Sequence, residues 1–205
     1  ASISILKHLG CSVTQEGDTI TVDAAVITGN DVPDPLMREM RSSVIFLGAI
    51  LARTGTAELS MPGGCELGPR PIDLHLSAIR ALGAEIREEG GALHCSIPGG
   101  RLQGCEYNLA LPSVGATENA MLCACGAEGT TVITNAAREP EIVDLQAFLR
   151  SAGAHVQGAG TSVVTIRGGG GLHGGEHTVM ADRIVAATLL SAAASAGRGV
   201  GLLGT

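Results

Sequence analysis

The feature that most constrains the fold is a segment that recurs three times in the 205 residues of the sequence. In each copy a helix-like apolar run ends at a glycine and a strand-like run follows directly. These glycines are Gly10, Gly83 and Gly153, so the spacings are 73 and 70 residues. Glycine suits the position after a helix because it adopts a positive φ without strain. Repetition at this period predicts a fold built from similar supersecondary units.

The rest of each copy also recurs. A polar turn leads to an alternating strand, clearest at residues 19–22 and 162–166, and a second helix follows. This second helix is predicted over residues 36–53, 116–127 and 182–196, and short strands are predicted to follow from Gly55, Gly129 and Gly199. Runs rich in Ala and Leu, such as 184–196, are predicted to be buried. Three such units would pack their helices inside and their sheets outside, although an ordinary α/β layer fold without symmetry is the alternative.

Composition excludes several kinds of partner. Aromatic residues make up 1% of the chain, so the core must be aliphatic and single-stranded nucleic acid would find few stacking platforms. The net charge of −7 disfavours a polyanionic partner. No apolar run approaches the roughly 18 residues of a membrane span. We therefore expect neither a nucleic acid nor a membrane as partner, and a small anionic ligand held by a few arginines remains compatible with the charge.

The cysteines predict reduced thiols in the cytoplasm. None of the six forms a CxxC pair, and no His lies at a metal-ligand spacing from them, so we expect neither disulfides nor a metal. Five are assigned to ordered elements: Cys11 and Cys95 beside strands, Cys105 at a strand edge, and Cys123 and Cys125 in a helix core.

Cys65 lies in a different setting. Residues 61–71 contain three Gly and three Pro, which disfavour both helix and strand, and Arg70 lies five residues beyond the thiol. An exposed thiol near a cation has a lowered pKa, and the planar guanidinium fits phosphate or carboxylate. The alternative is a surface loop with a free Cys and a solvated Arg.

Seven segments together resemble a known family. They are 40–43, 63–65, 68–75, 112–119, 135–144, 158–161 and 182–184, which read MRSS, GGC, GPRPIDLH, PSVGATEN, NAAREPEIVD, GAGT and DRI. In this order they resemble the UDP-N-acetylglucosamine 1-carboxyvinyltransferases. The resemblance implies an inside-out α/β barrel domain of three repeated α/β units. It also implies transfer of the enolpyruvyl group of phosphoenolpyruvate to the 3′-hydroxyl of UDP-N-acetylglucosamine, with release of phosphate and without metal or organic cofactor.

The resemblance also implies roles for individual residues. Cys65 matches the family's loop cysteine, the target of fosfomycin, which serves either as the acid or in product release. Arg70 matches the arginine that holds phosphoenolpyruvate, and Arg41 matches a second arginine that contacts substrate. The segments implied to wrap the UDP-sugar are Arg70, Pro71, Ile72, Asp73 and Leu74, and Leu111, Pro112, Ser113 and Val114.

Several of these positions have structural alternatives. Ser113 or Thr117 could cap the helix that follows. Asp73 and Asp144 are expected to be N-caps or first-turn acids. His75 is expected to be a solvated helix residue without a chemical role.

The acids of the 139–144 segment and the Asp182–Arg183 pair also have structural alternatives. Glu139 and Glu141 are expected to brace a helix start. Asp182 and Arg183 could form a local ion pair.

The family is about twice as long as this chain. We therefore expect a fragment that is inactive alone, with residues 1–178 as a substrate-binding domain. Residues 179–205 would be either the edge of a second domain, otherwise missing, or the closing helix and strand of the repeat. Two other functions stay open, and a purely structural repeat module is a third possibility. One is the related enzyme that acts on 3-phosphoshikimate, which lacks the Gly-Gly-Cys loop, and the other is a non-catalytic domain that binds a nucleotide-sugar or a protein partner.

Overall fold

The repeat seen in the sequence corresponds to a repeated α/β unit. The computed structural model describes residues 1–61, 72–197 and 199–203, and at Arg41 the backbone alone. Helices in this part are α1 (Ser2–His8), α2 (Asp34–Glu39), a 3-10 helix (Arg41–Ile45), α3 (Phe46–Thr54), α4 (Asp73–Ala81), α5 (Val114–Cys125), α6 (Pro140–Ser151) and α7 (Arg183–Ala196). Strands are β1 (Ser12–Glu16), β2 (Thr19–Asp23), β3 (Asp31–Val32), β4 (Thr56–Ser60), β5 (Glu85–Glu89), β6 (Ala92–Ser96), β7 (Glu106–Asn108), β8 (Thr130–Thr134), β9 (His155–Gln157) and β10 (Val163–Arg167).

Two four-stranded sheets share one topology. Their orders are β3-β4-β6-β5 and β7-β8-β10-β9, and in each the first pair is parallel and the others are antiparallel. The hairpin of β1 and β2, which follows α1, corresponds to the second half of the same unit. Gly10, Gly83 and Gly153 have φ values of 101°, 97° and 92°, as the repeat predicted. The part of the chain described here thus contains the unit twice in full and once in part.

Helix α5 lies at the centre of the core. Eight of its residues are buried: Ala116, Thr117, Asn119, Ala120, Met121, Cys123, Ala124 and Cys125. It packs against α3, α4 and α6, while strands β4, β8 and β10 bury alternate residues and so turn one face to the core. Close packing depends on small residues, since an added Cβ at Gly48 of α3 would overlap the backbone of Asn119. The prediction of helices inside and sheets outside is confirmed for these units.

The helix predicted over residues 36–53 is wrong as a single element. It is divided into α2, the 3-10 helix and α3. The division occurs at Met40, whose φ of −141° and ψ of 120° are extended. Arg41 therefore begins a new helical segment instead of lying inside a helix.

The C-terminal predictions also need correction. The segment 184–196 was predicted to be buried, yet α7 has no buried residue. No strand forms at described residues 199–203, and α7 ends at Gly197, which has a φ of 65°. An apolar helix is buried only where another element covers it, and composition alone does not supply that element. None of the helices described here is both long and apolar enough to cross a bilayer.

Candidate active site

The predicted site residues that the structure describes gather at the starts of three helical segments. Arg41 is the first residue of the 3-10 helix, Ile72 is the N-cap residue of α4, and Asp73 and Leu74 are the first two residues of α4. Leu111 and Pro112 precede α5, Ser113 is its N-cap and Val114 its first residue. Cys65, Arg70 and Pro71 lie outside the described residues. The fold thus brings together segments that lie far apart in the sequence.

The start of α5 is organised by hydroxyl groups. Ser113 Oγ accepts a hydrogen bond from the backbone N–H of Ala116 at 3.3 Å, so Ser113 is the cap. Thr117 has a different role: its hydroxyl donates to the Ser113 carbonyl at 2.8 Å and accepts from the Ala137 N–H at 3.1 Å. A helix leaves its first backbone N–H groups without intrahelical acceptors, and the helix dipole makes that end attractive to anions.

His75 joins the starts of α4 and α5, so the prediction of a solvated residue is wrong. The ring is half-buried, and its Nδ1 lies 3.2 Å from the side-chain Nδ2 of Asn119. Asn119 also donates to the Val44 carbonyl at 2.9 Å and accepts from the Gly48 N–H at 2.7 Å. Burial lowers the pKa of His75 to about 4, although the charge of Asp73 acts in the opposite direction. The ring is therefore neutral near pH 7.

A second cluster of polar side chains lies at the start of α6. Glu118 of α5 has a pKa raised to about 7, first by burial and then by the negative charge of Glu141. Glu141 lies in the first turn of α6 and pairs with Arg183 through hydrogen bonds of 2.8 Å and 3.2 Å. These hydrogen bonds from Arg183 lower the pKa of Glu141. Arg183 thus joins α7 to the α6 start.

Three structural alternatives at this end are resolved. Asp182 does not form the local pair with Arg183 that was considered: its carboxylate caps α7 by accepting from the N–H groups of Ile184 and Val185. Asp144 lies beyond the first turn of α6, at 3.1 Å from His177 Nε2. Glu139 is the N-cap residue of α6, and its carboxylate accepts from the Arg138 N–H.

The described thiols are in the environments that the sequence predicted. Cys11, Cys95, Cys123 and Cys125 are buried and Cys105 is half-buried. Burial raises the pKa of Cys95 to about 11, of Cys123 to about 12 and of Cys125 to about 11, and it also raises that of Cys105. These four thiols are therefore protonated near neutral pH and are poor nucleophiles.

Sequence reasoning missed Asn119, Glu118 and the packing role of two glycines. Asn119 was detectable as a lone amide within the apolar run 116–127, where a buried polar group needs partners. Gly48 and Gly115 interrupt helical patterns, which indicates close approach of a neighbouring element. An added Cβ at Gly115 would lie 3.0 Å from His75 Cε1. The partners themselves could not be read from the sequence.

The fold is that of the enolpyruvyl transferases. The enolpyruvyl transferase NikO from Streptomyces tendae matches with a TM-score of 0.78 and 25% identity, over 92% of this chain and 45% of that one. An EPSP synthase from Acinetobacter baumannii matches with a TM-score of 0.69 and 24% identity, over 94% and 44%. The predicted inside-out α/β barrel class is thereby confirmed.

The chain belongs to the EPSP synthase (3-phosphoshikimate 1-carboxyvinyltransferase) family, whose model matches residues 1–205. UDP-N-acetylglucosamine 1-carboxyvinyltransferase 2 of Caldanaerobacter subterraneus subsp. tengcongensis is 54% identical over 94% of the chain and 46% of that protein. UDP-N-acetylglucosamine 1-carboxyvinyltransferase 1 of Symbiobacterium thermophilum is 53% identical over 95% and 45%. The resemblance drawn from the motifs is confirmed, and the chain spans about half the length of these curated relatives.

Proposed function

We propose that the chain is part of an enzyme that transfers the enolpyruvyl group of phosphoenolpyruvate to the 3′-hydroxyl of UDP-N-acetylglucosamine and releases phosphate. The observation that carries this proposal is the 54% and 53% identity to proteins named for that activity, over 94% and 95% of the chain. The reaction provides a precursor of peptidoglycan. The reaction would take place in the cytoplasm. Through it the protein would contribute to cell-wall synthesis, cell shape and cell division.

The helix starts support the binding of a nucleotide-sugar diphosphate. The N–H groups of Val114 and Gly115 begin α5 and have no acceptor within the helix. Asp73 and Leu74 begin α4 after the N-cap residue Ile72, and the His75–Asn119 contact holds this start beside that of α5. Two neighbouring helix starts would present partial positive charge to a diphosphate, and the exposed Leu111 and Pro112 add apolar surface beside them.

The reacting groups are assigned from the family resemblance. Arg70 would hold the phosphate or carboxylate of phosphoenolpyruvate with its planar fork of donors, and Arg41 would provide a second cation. Cys65 would act as acid or in product release, and fosfomycin would modify it. The raised pKa values of Cys95, Cys105, Cys123 and Cys125 support this choice, because those thiols would not compete.

The chemistry is an addition followed by an elimination. The sugar hydroxyl loses a proton to a base and attacks C2 of phosphoenolpyruvate, while an acid protonates the methylene carbon. Loss of a proton from the resulting methyl group and departure of phosphate restore the double bond. Fixed cations and backbone donors would stabilise the phosphate and carboxylate throughout.

The domain organisation is also a proposal. Residues 1–178 would form one substrate-binding domain, and residues 179–205 would be the edge of a second domain or a closing part of the repeat. The exposure of Ile184, Val185, Leu189 and Leu190 on α7 supports the second-domain reading. An apolar surface of this kind is expected to be covered by another part of the protein.

The experiment measures phosphate release from phosphoenolpyruvate. The 205-residue chain is assayed alone and fused to the remaining half of the Caldanaerobacter relative. We expect release from the fusion with UDP-N-acetylglucosamine and not with 3-phosphoshikimate, and only background from the chain alone, because the reaction needs groups from both sides of a cleft. Cys65→Ala in the fusion should lower the rate about a hundredfold or more if Cys65 is the acid.

A matched control is Cys105→Ala, which removes a half-buried thiol at a strand edge and should leave the rate unchanged. Release that depends on 3-phosphoshikimate would assign the chain to the related activity for which the family model is named. Binding of UDP-N-acetylglucosamine without release by the fusion would favour the non-catalytic alternative.

A further inference from the structure

His75 and Asn119 form a bridge between elements that are distant in the sequence. The side-chain oxygen of Asn119 accepts from the Gly48 N–H at 2.7 Å, which fixes the orientation of the amide. Its Nδ2 therefore faces the Val44 carbonyl at 2.9 Å and His75 Nδ1 at 3.2 Å. Because an amide nitrogen only donates, His75 Nδ1 must be the acceptor. The ring then carries its proton on Nε2.

The Nε2 side of the ring faces the start of α5. An ideal Cβ at Gly115 would lie 3.3 Å from Nε2 and 3.0 Å from Cε1 of His75. A side chain at this position would require the ring to shift by a few tenths of an ångström. Gly115 directly follows Val114, whose segment is proposed to contact the nucleotide-sugar. The ring thus lies between the buried amide of Asn119 and the proposed binding segment.

The bridge is also part of the buried core. Asn119 is fully buried, and each polar atom of its side chain has a partner. A buried amide without a hydrogen-bond partner is energetically unfavourable. The loss of one contact of Asn119 would therefore also disturb the other elements that it joins. Asn119 contacts α3 at Gly48 and α4 at His75. It contacts the 3-10 helix, which begins at Arg41, at Val44.

From this geometry we propose that His75 is a positioning residue for nucleotide-sugar binding. As the neutral Nε2–H tautomer it accepts a hydrogen bond from Asn119, and this contact sets the placement of the α4 start against the α5 start. The inference rests on the proposed function for the identity of the ligand. The tautomer and the bridge depend on neither ligand nor activity.

The first measurement is independent of function. Long-range proton–nitrogen NMR of the 205-residue chain, labelled with ¹⁵N in histidine, reports the tautomer of each ring. We expect His75 to carry its proton on Nε2 at neutral pH, and the His75→Asn variant identifies its signals. A protonated ring or the Nδ1–H tautomer would overturn the bridge.

The second measurement is calorimetric titration of the chain with UDP-N-acetylglucosamine. His75→Asn keeps an acceptor near the position of Nδ1, and its Kd should stay within about threefold of the wild-type value. His75→Leu keeps volume without an acceptor and should weaken binding by about tenfold, the effect of one lost hydrogen bond. His94→Leu, on the exposed face of β6, is the control and should bind as the wild type does.

The two variants separate positioning from general stability. If His75→Leu binds as tightly as the wild type, or if His75→Asn fails as badly as His75→Leu while remaining folded, the positioning role is wrong. Absence of binding by the wild-type chain would overturn the nucleotide-sugar assignment and the role that depends on it. The NMR result would still decide whether the bridge exists.

Discussion

Helices α5 and α7 have similar compositions and opposite environments. Both are rich in Ala and contain larger apolar residues, yet α5 buries eight residues and α7 buries none. The difference is in their neighbours: α5 packs against α3, α4 and α6, whereas α7 contacts the α6 start through the Arg183–Glu141 pair. Burial thus depends on the elements that surround a helix as much as on its own residues.

The prediction with the largest expected effect compares the substitution of one apolar side chain from each helix. Met121 of α5 is fully buried, whereas Leu189 of α7 is 49% exposed. Met121→Ala should lower the free energy of unfolding by about 2–5 kcal/mol because it leaves a cavity. Leu189→Ala should change it by less than about 0.5 kcal/mol in this chain. Urea denaturation followed by circular dichroism measures both, and equal losses would contradict the contrast.

A smaller effect tests how closely α5 is packed. Gly48→Ala would place a Cβ against the backbone and side-chain oxygens of Asn119, and neither can move without opening the helix contact. We expect a loss of about 1–3 kcal/mol in the free energy of unfolding. Gly174→Ala is the control, since its added Cβ meets no atom within 4 Å. A fully stable Gly48→Ala variant would show that α3 and α5 can separate at little cost.

The smallest effect concerns the edge of α5 that faces the α6 start. The folded chain raises the pKa of Glu118 from an ordinary 4.5 to about 7, so it favours the protonated carboxyl. The resulting stabilisation is present below pH 4.5 and is lost as the pH rises through 7. As the pH rises over this range, the Glu118→Gln variant should therefore gain stability relative to the wild type. We expect the gain in the free energy of unfolding to be only about 1 kcal/mol, since the solvent contact that Glu118 keeps screens the effect.

Thermal unfolding at a series of pH values measures this difference. The control is Glu16→Gln, an exposed residue of β1. If the gap between wild type and Glu118→Gln is the same at every pH, Glu118 is not held protonated by its surroundings. A gap that widens at low pH would reverse the assigned sign.

The candidate site could be predicted as a set of segments but not as an arrangement. The motifs identified the starts of α4 and α5, and the Ser113 cap was among the expected alternatives. His75 was wrongly expected to be solvated, since its partner Asn119 lies 44 positions away and hydrogen bonds at that separation have no local signal. Asp144 and Arg183 were misassigned for the same reason, because their partners, His177 and Glu141, come from other elements.

The sequence by itself determined the repeated unit, the helix ends at Gly10, Gly83 and Gly153, the aliphatic core and the family. These follow from local backbone preference and from periodic apolar patterns, which neighbouring residues express directly. Only the tertiary structure decided that residues 36–53 divide at Met40, that α5 is buried while α7 is exposed, and that Asn119 joins three segments. Burial and long-range hydrogen bonds depend on which surfaces meet, and composition alone does not specify that.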